Sequence, residues 1–188
     1  MTAHDIQPYD RTFVMAKPDA FYEGVVGEIQ TRLEDAGLMK QASRVTVPSE
    51  ELAHEHYDDA GLPEDLHDQV VEYLTSGPVE PMVWAGEDSI ETVRALVGES
   101  FDPTECSPGT IRGDYGGEYG TAFADEYDVA VPNIVHAADE PAAAEREIDI
   151  WFDDEDLAMY EMLESQDAMV DELVTDRGYA REPQPSRY

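Results

Sequence analysis

The sequence predicts an α+β domain in which helices pack against a four-stranded antiparallel sheet. Short apolar runs bounded by turn residues alternate with segments whose apolar residues recur at helical spacing. Their order along the chain is strand, helix, strand, helices, strand, helix, long loop, helix, strand. This is the βαββαβ order of a ferredoxin-like sandwich with extra helices, and we expect the helices to cover one face of the sheet.

The predicted strands are short runs rich in apolar and β-branched residues. The first, RTFVMAK, stops at Pro18, and the fourth is EIDIWF. The third, VEPMVWA, contains Pro81, which has no amide hydrogen and therefore predicts an edge strand or a bulge. The four predicted strands span residues 11–17, 38–47, 79–85 and 147–152.

The predicted helices each carry an apolar stripe. In the first, Val25, Ile29 and Leu33 share one face, and Gly37 is a natural C-terminal cap. The predicted helices span residues 24–37, 49–57, 64–75, 88–98 and 139–146. Residues 99–129 show no strong periodicity, and so long a loop in a compact domain is usually functional or an insertion. We expect a main domain over residues 1–152 and an acidic helical extension over residues 153–188.

The charge of the chain is extreme and evenly spread. Asp and Glu number 44 against 11 Lys and Arg, which gives a net charge of −33 over 188 residues. A hydrophobic content of 41% is too high for a disordered acidic activator or histone-binding protein. The composition is typical of a folded halophile protein with a carboxylate surface, and it argues against nucleic acid as a partner because phosphates would be repelled.

Three further features bear on location. Cys106 is the single cysteine, so the chain cannot form an internal disulfide, which fits a reducing interior. The first ten residues hold no apolar signal segment, and the sequence contains no run of 18 apolar residues. We therefore expect a cytoplasmic protein without a membrane partner.

The chemistry-bearing residues lie in short motifs. His136 lies in PNIVHAAD, and a lone histidine after an apolar pair is more often structural than catalytic. Arg112 lies between glycines in GTIRGD, where the backbone can approach a ligand closely. Lys17, one of only two lysines, ends a predicted strand. The presence of Arg112 and Lys17 in such motifs favours a functional role for His136.

These motifs occur in the order seen in one family. RTFVMAKPDA, HEHY, YLTSGPV, MVWAG, GTIRGDY, PNIVHAAD and EREIDIWF together resemble the nucleoside diphosphate kinases, from about residue 11 to residue 157. Each motif alone is weak, but the ordered set is specific. The resemblance is interrupted by an insertion near residues 117–131.

The resemblance implies a ping-pong phosphoryl transfer from nucleoside triphosphates to nucleoside diphosphates through a phosphohistidine. It implies Mg²⁺ that arrives with the nucleotide, without a metal site built by the protein. It also implies a homo-oligomer, of which a hexamer is the favoured form and a dimer or tetramer the alternatives.

The family pattern assigns roles by position. His136 matches the phosphorylated histidine, and Glu147 matches the residue that orients it. The implied catalytic residues are His136, Glu147, Lys17 and Tyr57. The implied nucleotide-binding residues are Lys17, Leu66, Arg94, Ser100, Arg112 and Asn133, with Thr104 as a competitor for the place of Ser100.

The sequence departs from the family at several positions. Ala138 replaces a serine whose hydroxyl supports the catalytic geometry, and Leu66 replaces the aromatic residue that stacks on the base. These changes keep open a low-activity paralogue that serves as a nucleotide-binding or interaction module. The i, i+2 spacing of His54 and His56 places them on different faces of a helix and favours surface roles over a metal site.

The net charge generates the first testable prediction. Raising KCl from dilute buffer to molar concentration should raise the melting temperature, because the screening length falls from about 10 Å at 0.1 M to about 3 Å at 1 M. Circular dichroism across a salt series measures this. A chain that stays folded and equally stable in dilute buffer would contradict the halophile interpretation.

Overall fold

Four strands form one antiparallel sheet, as the sequence predicts, and their order in the sheet is β2–β3–β1–β4. The computed structural model describes residues 10–158, 169–170 and 173–175. The chain divides after Ala158 into two compact units, and the four strands belong to the first. The strands are β1 (Asp10–Ala16), β2 (Met39–Ser43), β3 (Glu80–Gly86) and β4 (Val135–Ala137).

The helices of the described chain vary widely in length. The α-helices are α1 (Pro18–Tyr22), α2 (Val26–Asp35), α3 (Glu50–Tyr57), α4 (Glu64–Thr75), α5 (Ser89–Val97), α6 (Ile111–Tyr115), α7 (Thr121–Tyr127) and α8 (Pro141–Trp151). Short 3₁₀ turns lie at Asp58–Ala60, Pro103–Glu105 and Asp154–Asp156. The predicted long loop therefore contains α6 and α7, which are too short to show helical periodicity in the sequence.

The predicted fourth strand over residues 147–152 is wrong. Those residues continue α8, whose buried residues Ala144, Ile148 and Trp151 recur at helical spacing. The true fourth strand, β4, is three residues long and pairs with β1, with His136 opposite Met15. A three-residue strand is too short to show an alternation of apolar and polar residues, whereas EIDIWF shows that alternation although most of it is helical.

Pro81 lies in an inner strand, so the predicted edge position is wrong. β3 is hydrogen-bonded to β2 on one side and to β1 on the other. The bulge occurs in β2, where the register shifts between Lys40 and Ala42. The Pro81 carbonyl accepts a hydrogen bond from the Arg44 amide at 3.3 Å, just past the end of β2. Pro81, which has no amide hydrogen, therefore lies just beyond Ser43 and Met82, the last paired residues of β2 and β3.

Helices cover both faces of the sheet rather than one. Phe13, Met15 and Val83 pack against α3, α4 and α8 on the first face. Val14 and Trp84 pack against α2 and α5 on the second. The reason is visible in β1, where consecutive residues from Phe13 to Ala16 are all fully buried, so neither face can be left to water.

The remaining sequence predictions concern the ends of the chain and the membrane. No helix in the described part of the chain is long and apolar enough to cross a bilayer. The predicted extension over residues 153–188 falls largely outside the described residues. The division at residue 152 and the insertion near residues 117–131 stay predictions.

The packing around α6 generates a second prediction. A Cβ built on Gly113 would lie 2.2 Å from the Ser107 carbonyl oxygen, so Gly113→Ala must displace backbone. We expect it to lower the free energy of unfolding by about 1–3 kcal/mol, the usual cost of overpacking. Gly27→Ala in α2 is the matched control, because its Cβ would meet no atom within 4 Å. Denaturant melts of both variants measure this, and equal stabilities would contradict the described packing.

Candidate active site

A strained turn places His136 in β4. Ile134 has a φ of +66°, which a β-branched residue rarely adopts. The Val135 amide donates to the Asn133 carbonyl at 2.6 Å and closes a three-residue turn. The Ile134 amide donates to the Asp19 carboxylate, and its carbonyl accepts from the Lys17 amide, both at 2.8 Å. Two neighbouring contacts thus hold the strained residue in place immediately before His136.

The imidazole of His136 is held by a carboxylate from α8. His136 Nε2 lies 2.8 Å from Glu147 Oε2. The Glu147 side chain is 5% exposed, whereas that of His136 is 22% exposed. With Nε2 engaged by an ionised carboxylate, the favoured neutral tautomer carries its proton on Nε2 and leaves the Nδ1 lone pair free. The pair therefore presents Nδ1 as a nucleophile.

The electrostatic environment favours the neutral imidazole. Burial, followed by the charges of Lys17 and Arg112, holds the pKa of His136 well below its ordinary value. Burial also raises the pKa of Glu147 to about 7, although His56 and Arg146 oppose that shift. Above pH 7 the carboxylate is ionised and accepts from Nε2–H. As the pH falls through about 7, Glu147 takes up a proton and this support for the nucleophilic tautomer is lost.

Three cations surround the same space. Lys17, at the end of β1, is buried and donates to Asn133 Oδ1 at 2.8 Å. Burial, with a contribution from Arg112, lowers the pKa of Lys17 to about 7. Arg112, on α6, donates to the Ser100 carbonyl at 2.7 Å and to the Val135 carbonyl at 2.8 Å. Arg94, on α5, is close enough to lower the pKa values of Arg112 and His136.

The other predicted site residues come from separate elements. Tyr57 ends α3, and its buried hydroxyl has no hydrogen-bond partner among the described residues. Asn133 Nδ2 donates to the Phe101 carbonyl at 3.0 Å. Leu66 on α4 is 38% exposed. The Ser100 hydroxyl donates to Glu105 at 3.0 Å.

All nine predicted site residues line one cleft of about 1060 Å³. This volume lies just above the usual range for small-molecule sites, which is about 300–1,000 Å³. Thr104, the competitor of Ser100, is outside the lining and donates instead to Asp102. The members of the cleft are Lys17, Tyr57, Leu66, Arg94, Ser100, Arg112, Asn133, His136 and Glu147.

Sequence reasoning missed three aromatic or imidazole groups in this cleft. Phe101 lines it and is 61% exposed. Tyr73 lies under the Lys17 ammonium at 5.3 Å and donates its hydroxyl to Asp19. The surface role predicted for His56 is wrong, because its side chain is buried and its ring lies 4.8 Å from that of His136. The buried helical stripe of Ala53, His56 and Tyr57 was the available signal.

One cluster in the described residues has the composition of a metal site. His56, His136 and Glu147 offer ligand atoms within 4.8 Å of one another. His136 Nε2 and Glu147 Oε2 are bound to each other, and the Trp151 indole donates to His56 Nδ1 at 3.3 Å, which places the proton of the neutral His56 ring on Nε2. Imidazoles also suit transition metals rather than magnesium. The geometry is therefore that of an oriented nucleophile.

Comparison with known proteins decides the family. The family model described as nucleoside diphosphate kinase matches residues 10–157. The chain belongs to the nucleoside diphosphate kinase family. The resemblance predicted from the motifs is thus confirmed, and so is the ferredoxin-like α+β fold of this family.

Relatives from halophilic archaea are among the most similar. The chain is 43% identical over 156 residues to the nucleoside diphosphate kinase of Natronomonas pharaonis, covering 82% of this chain and 94% of the relative. A solved structure of the halophilic nucleoside diphosphate kinase from Halobacterium salinarum in complex with CDP has a TM-score of 0.71 and 41% identity, covering 81% of this chain and 93% of that one.

A second solved structure comes from a bacterium. A transition state mimic of the nucleoside diphosphate kinase from Borrelia burgdorferi, with bound vanadate and ADP, has a TM-score of 0.77 and 33% identity. It covers 82% of this chain and 93% of that chain. The same fold therefore relates this chain to nucleoside diphosphate kinases of both archaea and bacteria.

The environment of His136 generates a third prediction. In ¹⁵N-histidine spectra His136 should stay neutral at pH 6, where an ordinary histidine with a pKa near 6.5 is largely protonated. The same spectra at pH 8 should show the proton on Nε2, because Glu147 accepts it. Lys17→Met should raise the pKa of His136 by removing one of the charges that lower it. Protonation of wild-type His136 at or above pH 6.5 would contradict the described environment.

Proposed function

We propose that this chain transfers the γ-phosphoryl group of a nucleoside triphosphate to a nucleoside diphosphate through a covalent intermediate on His136. One observation carries the proposal: the Glu147 carboxylate binds Nε2 of His136 and leaves Nδ1 facing a cleft lined by four basic residues. A neutral nucleophile beside fixed positive charges is what attack on a polyphosphate requires.

The first half-reaction forms one bond and breaks one. The Nδ1 lone pair attacks the γ-phosphorus, the bond from that phosphorus to the bridging β,γ-oxygen breaks, and the nucleoside diphosphate leaves with its electron pair. Nε2 keeps its proton, and ionised Glu147 stabilises the positive charge that develops on the ring. In the second half-reaction a terminal oxygen of another nucleoside diphosphate attacks the phosphorus, the bond from phosphorus to Nδ1 breaks, and its electron pair returns to Nδ1, which restores the neutral form of His136.

The cations allow a highly charged substrate to enter. A chain of net charge −33 repels a triphosphate at long range, so Lys17, Arg94 and Arg112 supply the local attraction. Lys17 has a pKa of about 7 in the absence of a nucleotide, and contact with phosphate favours its charged form. Nucleotide binding at pH 8 is therefore accompanied by proton uptake.

The substrate is the magnesium complex of the nucleotide. Mg²⁺ prefers oxygen ligands and water, and the nucleotide phosphates supply such oxygens. In the cleft, carboxylate oxygens come from Glu99, Asp139, Glu140 and Glu147, and the described residues do not gather three carboxylates into one cluster. Magnesium bound to the phosphates offsets negative charge on the transferred group, while Lys17 and the two arginines bind and orient the rest of the polyphosphate.

Other residues that line the cleft are available to contact the sugar and the base of the nucleotide. Asn133 is placed three residues before His136 and contacts a sugar hydroxyl in this proposal. Leu66 and Phe101 offer exposed apolar surface to the base. Apolar contact does not read the polar edges of bases, so we propose that the chain accepts several bases. The expected homo-oligomer, favoured as a hexamer, and the cytoplasmic location are part of the same proposal.

Replacement of the family serine by Ala138 motivates the alternative of a low-activity paralogue. The structure supports an active kinase over this paralogue, because Glu147 Oε1 lies 3.7 Å from the Arg146 guanidinium. Arg146 in turn donates to the His56 carbonyl at 3.3 Å, which fixes α8 to α3. We propose that Arg146 supplies the support that Ala138 lacks.

The fourth prediction tests the proposed reaction. Protein in molar KCl with magnesium and γ-labelled ATP should form an acid-labile, base-stable phosphoenzyme that passes its label to an added nucleoside diphosphate. His136→Gln should abolish the label because it removes the nucleophile. His54→Gln is the matched control, since His54 stacks on His67 on another face of α3 and should keep wild-type labelling.

The same assay separates the two candidate functions. A folded wild-type protein that binds nucleotide without becoming labelled would favour the binding-module alternative. Label that persists in His136→Gln would show that another residue is phosphorylated and would contradict the proposed nucleophile.

A further inference from the structure

The segment of residues 117–131 is attached to both walls of the cleft. One wall is α4, which contributes Leu66, Val70 and Tyr73 to the lining. A second wall is the loop of residues 99–101, all three of which line the cleft. The segment contains α7 and leads directly into the turn before His136. Its contacts therefore bear on the shape of the cleft.

The first attachment is a buried carboxylate. Asp102 Oδ2 accepts from both the amide and the hydroxyl of Thr121 at 2.7 Å. Its Oδ1 accepts from the Thr104 amide at 2.9 Å and hydroxyl at 2.6 Å. Burial alone raises the pKa of Asp102, but these hydrogen bonds lower it to about 2, so the acceptor stays ionised. A Cβ on Gly120 would lie 2.4 Å from Asp102 Oδ1, so only glycine permits this approach.

The loop held by Asp102 holds two nucleotide-binding side chains in turn. The Ser100 carbonyl accepts from Arg112, and the Phe101 carbonyl accepts from Asn133. The Asp102 amide donates to the Ser100 hydroxyl at 3.1 Å. A shift of this loop would therefore move the partners of both Arg112 and Asn133.

The second attachment is at the other end of α7. Asp128 caps this helix with a φ of +54°, and its Oδ1 accepts from Gln69 Nε2 on α4 at 2.8 Å. Beyond it, Ala130 is buried and Val131 lines the cleft, two residues before Asn133. The segment thus connects α4, the 99–101 loop and the turn before β4.

We propose that residues 117–131 form a strap, with Asp102 as its positioning residue, that holds the two walls of the nucleotide cleft at a fixed separation. The inference rests on the proposed function, since it assigns the strap to the nucleotide site. A cleft whose walls are fixed in advance loses less conformational entropy when a ligand binds. The strap should therefore act on nucleotide affinity and leave the chemical step at His136 unchanged.

The test compares nucleotide affinity with turnover in strap variants of the full chain in molar KCl. Asp102→Asn keeps the size of the side chain but replaces one accepting oxygen with an NH₂ group, which cannot accept a hydrogen bond. The dissociation constant for ADP should therefore rise by about tenfold, the equivalent of about one hydrogen bond. Thr121→Val removes one hydroxyl donor and should give a smaller rise. The phosphoryl-transfer rate at saturating nucleotide should be unchanged. Thr121→Ser keeps the hydroxyl and should match the wild type.

The α4 attachment has its own matched pair. Gln69→Ala should weaken ADP binding and speed hydrogen exchange in residues 99–106 and 117–131, whereas Glu72→Ala, an exposed change on the same helix, should do neither. If Asp102→Asn fails to fold, Thr121→Val and Gln69→Ala carry the test. Wild-type ADP affinity in these variants, or a loss confined to the transfer rate, would overturn the strap. Calorimetric ADP binding involves no turnover, so a wild-type chain that binds ADP without forming a phosphoenzyme would refute the proposed function alone.

Discussion

The hydrogen bond between Glu147 and His136 determines which imidazole nitrogen faces the cleft. It joins α8 to β4, so the packing of α8 on the sheet is what positions the carboxylate. Trp151, one helical turn beyond Glu147, is fully buried and donates to His56, whose ring lies against that of His136. A displacement of α8 would therefore disturb the acceptor and the imidazole together.

The second constraint is electrostatic: the acidic composition of the chain conflicts with the binding of an anionic ligand. A carboxylate-rich surface suits high salt but opposes the binding of polyphosphates. The cleft resolves this conflict by gathering Lys17, Arg94, Arg112 and Arg146, four of the eleven basic residues of the chain. Burial of Lys17 and Arg112 lowers the pKa of each, and their charges in turn favour the neutral imidazole of His136. In the proposed function, the same cations attract the substrate and keep the nucleophile unprotonated.

Much of the fold, and the set of residues that meet in one cleft, could be predicted from the sequence because its motifs are local. Lys17 and Arg112 lie in short segments whose residue types are unusual for so acidic a chain, and the strands β1 and β3 carry strong apolar runs. The fourth strand could not be predicted, since β4 is three residues long and is defined by its pairing with β1. Phe101 was missed for a related reason, because its proximity to the cleft depends on tertiary packing that no spacing in the sequence encodes. His56 was missed although it shares a helical stripe with Ala53 and Tyr57, because its contact with His136 joins elements far apart in the chain.

The position of the phosphoryl group on the imidazole tests the central claim most directly. Phosphoenzyme trapped at alkaline pH can be examined by ³¹P–¹⁵N correlation spectra of histidine-labelled protein, which distinguish the two ring nitrogens. Because Glu147 occupies Nε2, phosphorus should be bonded to Nδ1 of His136. Phosphorus on Nε2, or on a residue other than His136, would contradict the role assigned to the Glu147–His136 pair.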